Sequence, residues 1–285
     1  MTAERRLHID GVAFWSPTLP GWPAACAAFR DAADRPATDA LDTPAAPARR
    51  PAPTLLAANE RRRAPDSVLL ALEVASAATA DAGHDAGTLA SVFSSAHGDL
   101  PIIDALCTTL ASDPLLLSPT RFHHSVHNAA SGYWAIASGI RAASTALAAY
   151  EHSFAAGLLE AAGVCAADGQ AVLLVASDTA AVGGLASTNR SRGLLALALV
   201  LSPRPGPRSR WTLDWRVQAG RAAAPPLRSA AARVLADNAM ADALPFAEAL
   251  AAGSAATLAL PLGPALHLAL VLQICGPAAP QAAAT

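Results

Sequence analysis

Short uninterrupted apolar runs alternate along this chain with longer stretches in which apolar residues recur every three or four positions. The segment RLHIDGVAFWSP (6–17) reads as a strand ended by Pro17, with Leu7, Ile9 and Val12 at its apolar positions. A short Ala-rich helix follows. In DSVLLALEVASAATADAG, Val68, Leu69, Leu72 and Ala75 form one helical stripe, with Asp66 as the N-cap and Gly83 as the stop. ASVFSSAHGD predicts a short buried strand running into a small-residue turn, and PIIDALCTTLAS a helix. Another helix begins in ASGYWAIASGIRAASTALAAY, and a further one covers SFAAGLLEAAGVCAA. QAVLLVASD (170–178) has the length and β-branched content of a buried strand, and the Gly-rich polar stretch TAAVGGLASTNRSRG after it reads as a loop. LLALALVLS, RWTLDWRVQ and ALHLALVLQIC supply three later strands. Strands alternating with helices predict an α/β layered architecture around a largely buried sheet. Residues 31–53, rich in Pro and Ala, read as a surface loop and 276–285 as a flexible tail, which leaves one domain over 1–275. The stretch after 205 either completes the same sheet or forms a separate lobe, and the first is favoured.

Composition narrows the function classes. Of 285 residues, 53% are hydrophobic and 15% charged, enough apolar material for a large core. The net charge of −2 leaves no basic footprint for nucleic acid, and all the positive charge is arginine. Cys26, Cys107, Cys165 and Cys275 lie far apart without a CxxC pair, so scattered core thiols are expected, not a zinc site or a disulfide framework. The start, MTAERRLHIDGVAFW, has no apolar signal core, and GLLALALVLSP is far shorter than the ~20 residues of a bilayer span. A cytoplasmic protein without a membrane span is therefore expected.

The candidate chemistry concentrates in SPTRFHHSVHNAASGYW (118–134), which holds His123, His124 and His127. His123 and His127 have the spacing of the HExxH zinc signature, but His124 stands where that signature needs its Glu, and no third ligand follows. Ser125 lies between them without a G-x-S-x-G turn to expose it as a nucleophile. The remaining reading is a polar loop entering a helix, its histidines held by hydrogen bonds. His267, on an alternating strand, reads as structural.

The larger string SPTRFHHSVHNAASGYWAIASG resembles a segment of the β-ketoacyl synthases of the thiolase superfamily, in which an Asn, small residues, Gly and an aromatic-apolar helix follow one another. SVFSSAHGD resembles the strand and turn that precede it, and QAVLLVASDT with LLALALVLS the strand pair that comes next. ERRRAPDSVLLALEVA resembles the Arg-rich helix entry of one branch, the short chain-length-factor subunits of bacterial aryl-polyene and xanthomonadin-type pathways. The resemblance implies a thiolase-like layered fold, a mixed sheet with helices on both faces, of approximately one ketosynthase repeat.

In active members a Cys follows the Asn by a little over twenty residues, at the N-terminus of a buried helix that lowers its pKa. Counting from Asn128 reaches Glu151, with Tyr150 before it, and no Cys lies between 108 and 164. The two catalytic histidines of the second repeat, one in an H-G-T-x-T-like motif, have no counterpart either. Glu151 then caps the following helix, or supports thioester chemistry. In the family's dimers the strand beside the Asn segment pairs across a two-fold axis. By that resemblance Phe122, Ser125, Val126, His127, Asn128, Tyr133 and Trp134 are interface or acyl-tunnel residues. The implied function is that of a non-catalytic subunit paired with a catalytic β-ketoacyl synthase, shaping its acyl tunnel in fatty-acid or polyketide-like synthesis, with no cofactor and no metal. Arg49–Arg50 and Arg61–Arg63 are a candidate contact for an acyl carrier protein or a solvated face. The alternative is a malonyl-thioester decarboxylase or hydrolase using Glu151 or His127.

Overall fold

The computed structural model describes residues 6–31 and 50–275. Most of the stretch expected as a loop near 31–53, and the tail expected at 276–285, lie outside them. The strands are β1 (Arg6–Trp15), β2 (Ala90–Ser94), β3 (Ser144–Leu147), β4 (Val172–Asp178), β5 (Leu195–Ser202), β6 (Trp211–Ala219), β7 (Ala256–Pro261) and β8 (Leu266–Ile274). They join in one eight-stranded sheet of order β3-β2-β4-β5-β1-β6-β8-β7. β2 runs parallel to β3 and β4, and the other neighbouring pairs are antiparallel. The residues after 205 thus continue the same sheet.

Helices cover both faces. On one lie α3 (Asp66–Ala82) and α6 (Ala129–Ser138); on the other lie α7 (Ser153–Asp168), α1 (Trp22–Arg30), α8 (Ala230–Val234) and α9 (Leu244–Ala252). β5, LALALVLS, is buried along its whole length because its alternate side chains enter both cores. β6 is covered on one face: Trp211, Leu213 and Trp215 are buried, while Thr212, Asp214 and Arg216 point the other way. The remaining helices are α2 (Ala58–Arg63), α4 (Leu100–Ser112) and α5 (Pro119–Ser125).

Several elements differ from the sequence expectation. Asp66 is the first residue of α3, not its cap; its carboxylate pairs with Arg50 at 2.7 Å. Gly83 does stop that helix, in the left-handed conformation with φ 69°. Residues read as a loop before Asn128 form the short helix α5. The helix expected to run on from Ala130 ends at Gly139, also left-handed, and STAL becomes β3. Four residues are too few to show a periodicity, which is why this strand was not legible. α9 and β7 were likewise not foreseen.

The irregular apolar spacing of β1 has a structural cause. Its ladder with β5 shifts between Ile9 and Gly11, so Leu7, Ile9, Val12 and Phe14 all reach one core despite the change of parity. Asp10, at the shift, is buried and accepts hydrogen bonds from the hydroxyls of Ser202 and Ser209 and from His84. Gly11 then lies directly under α3, and a Cβ there would collide with the Ala78 carbonyl oxygen and meet the Ala82 side chain at 2.8 Å. Gly11→Ala is expected to lower stability by about 1–3 kcal/mol through overpacking, read as a lower urea midpoint with an unchanged slope.

Candidate functional site

Because β2, β3 and β4 are parallel, their carboxyl ends share one end of the sheet, where crevices form in α/β folds. After β2 the chain makes a tight turn held by Asp178, the last residue of β4. Asp178 accepts from the Ser95 hydroxyl at 2.7 Å, the Ala96 amide at 2.8 Å and the His97 amide at 3.3 Å. Burial still pushes its carboxyl above the usual range, since desolvation of the charge outweighs those bonds. Asp99 caps α4 through the Ile102 amide at 2.8 Å and accepts from Ser67 of α3 at 2.6 Å.

After β3 the chain turns sharply into α7. Tyr150 has φ 51°, and among the described residues no other non-glycine has a positive φ. Ser153, fully buried, ties the turn: its hydroxyl donates to the Tyr150 carbonyl at 2.8 Å and accepts from the Ala149 amide at 3.0 Å. The Tyr150 ring stands edge-on to His97 with centroids 5.5 Å apart. A strand, a strained turn and a helix form the geometry that presents a nucleophile in many hydrolases. The residue at the apex here is Tyr150, one position before the Glu151 reached by counting.

Glu151 does not cap α7 either. It is exposed, and the first turn of α7 contains no acidic residue. The amides of Phe154 and Ala155 instead donate to Oδ2 of Asp242, at 2.9 and 3.2 Å, across 88 and 87 positions of chain. Asp242 as a whole is partly exposed, but its Oδ1 is shielded from solvent and without a partner. Burial pushes this carboxyl up to about 8; the two amides oppose the shift, and the charge of Asp178 adds to it. Neither Asp178 nor Asp242 stood out in the sequence. Asp178 closes a buried strand run, a weak signal, and Asp242 acts wholly at long range.

The structure spreads the expected site residues over several environments. Phe122 and Val126 are exposed, and Ser125 donates back to the Phe122 carbonyl at 2.8 Å. His127 donates from Nε2 to the Ser95 carbonyl at 3.0 Å, and its ring lies against Gly98. Asn128 sits at the start of α6 without a side-chain capping bond. His124 is buried and shares a 2.8 Å hydrogen bond with the Tyr133 hydroxyl; burial, and then the neighbouring His123, lower its pKa. Trp134 corrects an expectation. At 1% exposure it belongs to the core under α3 and cannot line an interface or tunnel. Of the cysteines, Cys165 is buried with its thiol pushed up to about 12 by desolvation, while Cys107 is exposed. Among the described residues no group of three His, Cys, Asp or Glu is placed to hold a metal ion.

Two cavities open at this end. One of about 30 Å³ lies among Asp99, His124, His127 and Asp178, room for about one ordered water. The other, of about 300 Å³, lies between α7, the segment 224–227 and β7, and Glu151, His152 and Asp242 are its polar members. Glu151 and His127 therefore line different cavities.

The raised Asp242 pKa fixes a pH dependence. The folded state favours the protonated acid, so this group's contribution is complete below its ordinary value of 3.8 and lost as pH rises through about 8. Asp242→Asn keeps an oxygen for the two amides and cannot ionise. Its advantage over the unsubstituted protein is expected to be small at pH 4 and to grow to about 2 kcal/mol or more by pH 8, read from paired urea titrations.

The family described as β-ketoacyl synthase, N-terminal domain, matches residues 35–261. No curated protein matches the chain. Similar solved structures include a ketosynthase (ApeO) in complex with its chain length factor (ApeC) from Xenorhabdus doucetiae. It is 21% identical with a TM-score of 0.67, covering 94% of this chain and 98% of that one. The ishigamide ketosynthase/chain length factor is 15% identical with a TM-score of 0.68, covering 95% and 99%. AntDE:AntF, a type II polyketide synthase acyl-carrier protein in complex with its ketosynthase, is 11% identical with a TM-score of 0.67, covering 95% and 100%. These likenesses agree with the thiolase-like layered fold. The family match takes in β2, the turn at Tyr150, β4 and β5, and the chain belongs to the β-ketoacyl synthase N-terminal domain family.

Proposed function

We propose that this chain is a non-catalytic, chain-length-factor-type subunit that pairs with an active β-ketoacyl synthase. It would do so along β3 and shape that enzyme's acyl tunnel in polyketide or fatty-acid-like synthesis of the aryl-polyene kind. The observation that carries this reading is the turn into α7: a phenol occupies its apex, and the carboxyl group of Asp242 already accepts from the helix amides that would stabilise a thiolate or oxyanion. The buried thiol of Cys165 lies well along the same helix and donates to the Leu201 carbonyl.

The surface supports a partner. Among the described residues β3 pairs with β2 alone, which leaves its other edge for a further strand. Ile136, on α6 against β3, is exposed, as are Leu115, Leu116, Phe122 and Val126 along the segment that leads into α6. Ketosynthase–chain length factor complexes among the similar folds support a ketosynthase as that partner, and the AntDE:AntF complex an acyl carrier protein as a further contact. Arg61, Arg62 and Arg63 on α2, a helix with no buried residue, are the basic group such an acidic carrier would meet. No helix among the described residues is long and apolar enough to cross a membrane.

Co-expression with a β-ketoacyl synthase, followed by size-exclusion chromatography with light scattering, tests this reading. A one-to-one complex is expected. Phe122→Asp with Ile136→Asp should weaken it about tenfold or more, while thermal stability changes by no more than about 0.5 kcal/mol, because both side chains are exposed in the free chain. A chain that stays apart from the synthase would sink the proposal.

A further inference from the structure

At the other end of the sheet, where β4 begins and β5 ends, a cavity of about 430 Å³ opens between the ends of α3 and α7 and the 203–210 loop. Arg204, Arg208 and His84 are its basic members and Asp10 its one acid. Asp10 is already engaged by Ser202, Ser209 and His84. The bond from His84 Nε2, at 3.2 Å, orients that ring and leaves Nδ1 without a partner among the described residues. The guanidinium groups of Arg204 and Arg208 likewise make no hydrogen bond or ion pair among the described residues.

The loop PRPGPRSR that carries both arginines is held in place. Pro203, Pro205 and Pro207 restrict its backbone, and the Ser209 hydroxyl accepts from the Gly206 amide at 2.7 Å while donating to Asp10 at 2.5 Å. Arg208 folds back over the end of α3, its Nε 3.7 Å from where a Cβ on Gly83 would stand. α3 and α7 end here at the left-handed Gly83 and Gly169, and helix C-termini attract cations. That attraction accounts for basic residues in the loop. It does not account for two unpaired guanidinium groups and an imidazole lining one open cavity.

We propose that this cavity binds the dianionic phosphate of a small phosphomonoester. Each guanidinium presents a fork of N–H donors, and two forks match the terminal oxygens of a phosphate better than the two of a carboxylate. The remaining space, beside Ala82, Ala171, Pro203 and Pro207, takes the organic group. This site lies at the end of β4 opposite Asp178, and it does not depend on pairing with a ketosynthase.

The test is to titrate phenyl phosphate, inorganic phosphate and benzoate separately into the full chain at one ionic strength, following the amide resonances of Gly83 and Gly206. The pH is held well above the phosphate's second pKa of about 6. Phenyl phosphate should saturate, inorganic phosphate should bind at least about threefold more weakly, and benzoate at least about tenfold more weakly. Arg204→Gln and Arg208→Gln should each weaken phenyl phosphate at least about fivefold, while Arg221→Gln, the same charge change outside the cavity, leaves it as it was. All three side chains are exposed, so the variants should keep the fold, which their thermal midpoints check. Four outcomes overturn the proposal. Benzoate binding as tightly as phenyl phosphate would make this a general anion surface, and inorganic phosphate binding as tightly would remove the organic group from recognition. An equal loss in Arg221→Gln would leave only diffuse charge. No saturable binding, with lowered thermal midpoints in the Arg204 and Arg208 variants or without them, would assign these arginines to the helix ends.

Discussion

Where β1 slips by one residue against β5, a buried carboxylate and a glycine sit side by side, and most of the remaining packing follows from that pair. Asp10 gathers the end of β5, the 203–210 loop and the end of α3 through Ser202, Ser209 and His84. Gly11 lets α3 descend onto the sheet, where Asp81 then takes the Val12 amide at 2.9 Å. With α3 set at that height, Ser67 at its start reaches Asp99, which caps α4 and closes the turn after β2. A local irregularity in the first strand is thus transmitted through one helix to the far end of the sheet.

At that far end two acids do the organising. Asp178 gathers the turn after β2, and Asp242 joins the C-terminal segment to the first amides of α7. Both are desolvated, and the charge of Asp178 further disfavours ionisation of Asp242. Buried acids with raised pKa values often mark working catalytic centres. In this chain their hydrogen bonds go to backbone amides and a hydroxyl, which assigns them to architecture. A perturbed carboxyl is therefore a lead to be checked against its partners.

The strand-helix alternation was legible because long segments carry long periods: the α3 stripe, the uninterrupted β5 and the alternating β6 each repeat their pattern several times. What escaped was short or non-local. β3 has four residues and α5 seven, too few for a period, and Pro119 at its first position made α5 look like a loop. The family resemblance rested on side chains around Asn128, and it located the turn into α7 to within one residue. It could not see that Tyr150 takes the strained conformation, or that Asp242 supplies the cap expected of Glu151, because neither fact has a local sequence correlate. Trp134 was misplaced for a related reason: aromatic residues look alike in sequence whether they face a partner or the chain's own core.

The alternation in β6 and β8 also governs how this sheet can be extended. One face of that end is packed by α8 and α9, and the other presents Thr212, Asp214, Arg216, His267 and Gln273 around Ala269 and Val271. Stacking a second sheet on that face would strip water from a row of charged and polar groups with too few partners to compensate. Addition beside β3 needs only backbone amides and carbonyls to meet their like. At this end of the sheet an added strand beside β3, in the plane of the sheet, would therefore cost less than a second layer stacked on the polar face.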